Sequence, residues 1–155
     1  MKTLQLGASV QIDRPVAEVK AFLEDLDNLA RWDRGVVKVF HPTNGPLGVG
    51  SEFSTLGPAL PGKRGKISVY RLTHVADDSN AVELLDNRVF ERAVWTTRFA
   101  STPTGKETDV RCQVSASIRP RYFFFAWVLR LFRQAIADDL YYLKRAIEHG
   151  EIAKR

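Results

Sequence analysis

From Val36 to Ile118 the chain is a succession of short runs rich in valine, threonine and aromatics, and it then closes on one long helical stripe from about Arg121 to His149. Clusters of turn residues separate the runs: Pro42-Thr43-Asn44-Gly45-Pro46, Gly57-Pro58 through Gly65, Asp77-Asp78-Ser79-Asn80, Asp86-Asn87-Arg88 and Thr102 through Gly105. Strands at such spacing, joined by residues that favour tight turns, read as an antiparallel meander of six. A sheet with one apolar face needs a cover. Only the terminal helix, about 40 Å long at the helical rise per residue, can supply it. Strongly twisted strands curve around such a rod rather than lying flat. Space that side chains from the two layers do not fill becomes a pocket.

The rest of the chain fits that plan. Leu4, Leu6, Ala8, Val10 and Ile12 alternate with polar or small residues, which predicts a half-buried strand. Asp13 and Pro15 then give a helix-start signal, followed by Val16, Val19, Phe22, Leu23 and Leu26 at helical spacing. Leu29 and Trp32 predict a second, short helical turn, with Trp32 as a packing anchor between the short helices and the sheet. The clearest strand is the last, where Val110, Cys112, Val114, Ala116 and Ile118 share a face; Ala93, Trp95, Thr97 and Phe99 form a similar one before it. On the long helix the core stripe is Phe125, Val128, Leu129, Phe132, Ile136, Leu140, Leu143 and Ile147, with Gly150 as C-cap. The predicted fold is α+β. It is one domain over residues 1–155, a six- to seven-stranded antiparallel sheet wrapped around a C-terminal helix, with two short helices after the first strand.

Several function classes drop out. His41, His74 and His149 lie in different elements and Cys112 has no neighbour at ligand spacing, so no metal is expected. There is no nucleophile elbow, and Cys112 falls on an apolar strand face, where a packed thiol is the usual role. The glycines from Gly45 to Gly50 join strand to strand, with no helix N-terminus to hold phosphate or a dinucleotide. No cofactor is called for. A single cysteine allows no internal disulfide, which suits the cytoplasm, and the N-terminus lacks the apolar block of a signal peptide. Charge is uneven. Residues 1–110 carry 14 basic and 14 acidic side chains, and residues 111–155 carry 9 and 4, hence the whole net +5. A solvated helix face with a basic tail accounts for this without a nucleic-acid partner.

The chain resembles the START-related, birch-pollen-allergen-like SRPBCC superfamily, and within it the bacterial polyketide cyclase/dehydrase and lipid-transport group. The resemblance rests on Ile12-Asp13-Arg14-Pro15-Val16-Ala17-Glu18-Val19 leading into Phe22-Leu23-Glu24-Asp25, on Leu29-Ala30-Arg31-Trp32, on Gly45 through Phe53, and on Leu140 through Ile147. It implies a helix-grip fold around a lipophilic cavity, usually without a metal. It transfers no catalytic motif, because fold alone does not specify activity here.

Candidate pocket residues are Trp95, Thr97, Phe99, Cys112, Val114, Leu129 and Phe132, although the same inward alternation suits plain core. In the run Lys66 to Val75, Ile67 and Val69 face inward, and strict alternation brings in Arg71 and Thr73; a bulge would bring in Tyr70, Leu72 and His74 instead. An inward Arg71 would hold a carboxylate or enolate, and a buried His74 would act as general base; the alternative for each is the surface. Phe123, Phe124, Trp127 and Leu131 are apolar beyond the core stripe and lie among Arg119, Arg121, Arg130 and Arg133. They fit a pocket mouth, a homodimer contact, a peripheral membrane contact or a wider buried face. Three functions follow: binding or transport of a lipid, isoprenoid, quinone or polyketide; a polyketide cyclase or dehydratase in the same cavity; or a protein-interaction module.

Overall fold

The computed structural model describes residues 2–41, 47–85, 87–127 and 129–153, the side chains of Lys2, Phe125, Ala126, Leu129 and Arg130 excepted. The turn expected at 42–46, Asp86 and Val128 lie outside these. Strand β1 (Lys2–Ile12) is followed by α1 (Val16–Glu24), a 3-10 turn (Leu26–Asn28) and the one-turn α2 (Leu29–Trp32). The meander then runs through β2 (Lys38–Phe40), β3 (Glu52–Leu56), β4 (Ile67–Val75), β5 (Ser79–Leu85), β6 (Phe90–Ser101) and β7 (Thr108–Ile118). A second 3-10 segment (Pro120–Trp127) leads into α3 (Leu129–His149).

All seven strands form one antiparallel sheet in the order β1-β7-β6-β5-β4-β3-β2. It curves around α3 in the helix-grip arrangement. The first strand thus pairs with the last of the meander, Leu6 opposite Val114 and Val10 opposite Val110. The alternation in β7 is kept: Val110, Val114, Ala116 and Ile118 are buried, whereas Asp109, Arg111 and Gln113 are exposed.

The best-packed core lies at one end of the grip. Leu140 and Leu143 of α3 meet Ile12, Val19, Phe99 and Val110, with Phe22, Leu23, Trp32 and Cys112 around them. Trp32 is therefore the packing anchor its sequence position suggested. A polar clasp reinforces this end. The Asp13 N–H and Lys144 Nζ both donate to Glu148 Oε1, at 2.6 and 2.7 Å. Arg14 donates to the Glu148 carbonyl at 2.8 Å, and Lys144 to the Gln11 carbonyl at 2.7 Å. The helix stops here because Gly150 takes the left-handed conformation (φ 66°) and returns its N–H to the Ala146 carbonyl.

Four expectations need correction. The terminal α-helix begins at Leu129, eight residues later than expected, because the chain first runs as a 3-10 segment. Asp13 does not cap α1 with its side chain; Pro15 occupies the cap position and its carbonyl accepts from Glu18 and Val19. Ser79 and Asn80 belong to β5 rather than to a turn. The phase of β4 is opposite to strict inward alternation from Ile67, which is 52% exposed.

Leu143 is fully buried between sheet and α1. Leu143→Ala should cost about 2–5 kcal/mol of unfolding free energy, read by urea denaturation. A loss under about 1 kcal/mol would show that this contact does not hold the helix to the sheet.

Candidate functional site

At the other end of the grip the layers part. Leu4 and Leu6 of β1, Phe90, Ala93 and Trp95 of β6, Val114 and Ala116 of β7, and Phe132 and Ile136 of α3 line a narrow cleft. Its cavity volume is about 50 Å³, room for roughly three to five waters. Apart from the Trp95 indole N–H those side chains offer water no hydrogen-bond partner, so the space suits carbon. Ile136 is buried, but Phe132, one turn earlier, is 46% exposed and stands at the mouth.

A polar group adjoins the cleft along the same inner face. Tyr70 stacks on Phe53 (5.4 Å, 15°) and meets Trp95 edge-on (5.8 Å, 76°), which joins β3, β4 and β6 in one aromatic wall. Its hydroxyl bonds with Thr55, and burial, with the Asp33 carboxylate, raises its pKa. Cys112 lies two residues before Val114, opposite Thr97, to which its thiol is hydrogen-bonded. Burial is the main reason its pKa rises to about 11, so it is a thiol at neutral pH and no nucleophile.

Asp139 completes the group from α3. Burial first, and the charge of Asp33 second, push its carboxyl up to about 7, against the Arg34 N–H that it accepts and the Arg34 guanidinium. The turn after α2 supplies both neighbours. Asp33 caps that turn by accepting the Gly35 N–H at 2.8 Å. Arg34 reaches Asp138 at 3.3 Å and lies over the Tyr142 ring at 5.0 Å. Its Nε is buried with no protein partner among the described residues. Asp33 and Asp139 therefore share one field beside Tyr70 and Cys112. Near neutral pH, Asp139 exists in both protonation states and can give or take a proton.

The structure brings Trp95, Val114 and Phe132 together in the cleft and puts Thr97 and Cys112 in the polar group beside it. Phe99 belongs to the packed core at 3% exposure. The Leu129 side chain lies outside the described ones. Arg71 is a correction: it points away from the cleft and pairs with Glu52 at 2.7 Å on the exposed face. The cause is the register, which sets Phe53 opposite Tyr70 and so turns Tyr70 inward. A bulge between Leu72 and His74 then leaves His74 exposed, bonded to Ser79 at 2.9 Å rather than poised as a buried base. No group of metal-ligating side chains occurs among the described residues.

Missed by sequence reasoning as site residues were Leu4, Leu6, Phe90, Ala93, Ala116 and Ile136 in the cleft and Asp33 and Asp139 beside it, whereas Tyr70 was the inward residue of the bulged alternative for its strand. Asp139 had a signal. It sits three residues after Ile136 and one before Leu140, on the apolar stripe itself, where a carboxylate has no packing reason to be.

A sequence comparison decides the relationship: residues 3–148 match the family described as polyketide cyclase/dehydrase and lipid transport. The chain belongs to that family. Solved structures place this polyketide cyclase/dehydrase and lipid-transport member among helix-grip folds. It superposes on a Thermus thermophilus protein with TM-score 0.72 at 16% identity, over 93% of this chain and 97% of that one. The di-domain ARO/CYC protein StfQ of the steffimycin biosynthetic pathway gives 0.75 at 10% identity, over 96% of this chain and 52% of that one. A START superfamily protein of Mycobacterium smegmatis gives 0.61 at 9% identity, over 86% and 94%. No curated protein matches the sequence.

The raised carboxyl of Asp139 has a sign that can be checked. A folded-state pKa above the unfolded value of roughly 3.9 makes a contribution to stability that is full below about pH 4 and lost as pH rises through about 7. Asp139→Asn removes that loss. The variant should match the parent in Tm near pH 4 and exceed it by about 3 °C or more at pH 8, by scanning fluorimetry. Parallel Tm curves across this range would refute the assignment.

Proposed function

We propose that this chain binds a small lipophilic molecule between the sheet and the N-terminal half of α3, with a ring or chain end in the cleft. The observation that carries the proposal is a wall made only of apolar side chains, with an aromatic at its mouth and polar groups next to it. The present volume admits a small group, not a whole lipid, so entry widens the cleft. The wall that can yield is the first turns of α3, where Leu131, Phe132, Arg133 and Gln134 are exposed and the clasp at Glu148 is far away. Affinity would come from about 25 cal/mol for each Å² of apolar surface removed from water. A lipid, isoprenoid, quinone or polyketide all meet that description.

Ala116 lines the cleft and is buried, and Ala116→Leu adds side chain directly into it. Binding of a fluorescent anilinonaphthalene probe should weaken by about tenfold or more, equivalent to ~1.4 kcal/mol. Arg71→Ala, on the outer face, should leave it unchanged. Full-strength binding by a folded Ala116→Leu protein would exclude the cleft as the seat.

One observation favours a second reading, an enzyme of the cyclase or dehydratase type. Asp139 and Asp33 converge beside the cleft with Tyr70, so a carbonyl-bearing chain held by its apolar part would present its enolisable positions to a group that exchanges protons at neutral pH. The two readings separate on Asp139→Asn. A carrier keeps its ligand unaltered and its affinity within about threefold; an enzyme loses turnover by about 100-fold or more while still binding substrate. Mass spectrometry of a lipophile co-purified from the native host, before and after incubation, supplies the readout.

A further inference from the structure

We infer that the exposed side chains of Phe123, Phe124, Trp127, Leu131 and Phe132, with Arg119, Arg121 and Arg133, are a docking surface for an anionic lipid bilayer. Phe123, Phe124, Trp127, Leu131 and Phe132 are exposed by 38, 66, 67, 64 and 46%. Five large apolar side chains within ten residues form a patch that isolated surface hydrophobics do not explain. Arg119, Arg121 and Arg133 are exposed beside them. Over residues 111–137 the sequence holds five arginines (Arg111, Arg119, Arg121, Arg130 and Arg133) and no acid. No carboxylate lies within that stretch of chain, and the next ones along it, Asp138 and Asp139, begin where α3 returns to the core.

The composition suits the lipid headgroup region. Tryptophan and phenylalanine partition to the bilayer interface, and arginine pairs with phosphate in a fork geometry while its stem lies along apolar surface. Arg121 already lies over the Tyr122 ring at 4.9 Å, with both side chains at the surface edge. A second copy of the chain is a poorer occupant. A two-fold contact matches residues of the patch with other residues of the same patch, and among those its arginines find no acid to pair with. No helix among the described residues is long and apolar enough to cross a membrane, so the contact is peripheral.

Phe132 belongs both to this surface and to the cleft wall. A bilayer on the patch would sit at the cleft mouth and pull on the part of α3 that closes it. The docking itself does not depend on what the cleft holds and can be tested without a ligand.

The test is flotation of the full chain with phosphatidylcholine vesicles, with and without about 30% phosphatidylglycerol, at about 0.05 and about 0.5 M NaCl. Binding to anionic vesicles at low salt should exceed that to neutral vesicles by about tenfold or more and weaken comparably at high salt. The pair F124E and W127E, both at exposed positions, should lower it by a further tenfold or so while leaving Tm and anilinonaphthalene binding in place. Absence of flotation with anionic vesicles at low salt overturns the inference. So does equal flotation of the F124E/W127E protein, or a concentration-dependent dimer that this pair abolishes, which would assign the patch to self-association. Full-strength anilinonaphthalene binding by Ala116→Leu, with vesicle binding retained, would sink the cleft reading and leave this one standing, whereas weakened probe binding without flotation would do the reverse.

Discussion

The docking of the C-terminal half of α3 against the β1–α1 corner is the contact on which the rest of the structure depends. Leu140 and Leu143 enter the core with Ile12, Val19, Phe99 and Val110, and the Glu148 clasp then satisfies the Asp13 N–H and Lys144 at the same place. The Glu148 side chain is largely covered while its partners stay partly exposed, so charge-assisted hydrogen bonds and apolar packing act on the same corner. The sheet's closure relies on the same corner, since β1 is continuous with it and pairs along β7 to the far end at Lys2 and Ile118.

A rod held hard at one end can be loose at the other. Toward Leu129 the helix presents exposed apolar side chains, and between it and the sheet lies a slot that its own atoms do not fill. The polar group of Asp33, Tyr70, Cys112 and Asp139 lies between the two regimes, sealed enough for burial to raise three pKa values yet next to the slot. That gradient from packed to open along one helix leaves a stable core at one end and the cleft at the other.

The frame was legible in the sequence for clear reasons. Strand alternation in β1 and β7 and the stripe Ile136-Leu140-Leu143 each follow from a burial period, which the order of apolar residues records. Resemblance to the SRPBCC superfamily led to the same fold. The site was harder. Arg71 and Tyr70 are neighbours, and which of them faces inward turns on a one-residue register that pairing with Phe53 decides and local composition does not. Phe99 and Trp95 share one alternating face, yet one is core and the other cleft, because α3 covers the first and lifts from the second. Asp139 was readable as a carboxylate on an apolar stripe, but its partner Asp33 comes from a turn more than a hundred residues away, and only the folded chain brings them together.

The most direct measurement of this asymmetry is amide hydrogen exchange along α3, followed by mass spectrometry. Amides from Leu140 to His149 should be protected close to the global unfolding limit, and those from Leu131 to Ala135 should exchange by local opening at least about tenfold faster. Uniform protection along the whole helix would mean that the far end is as firmly seated as the near one, and that no wall of this cleft is free to open.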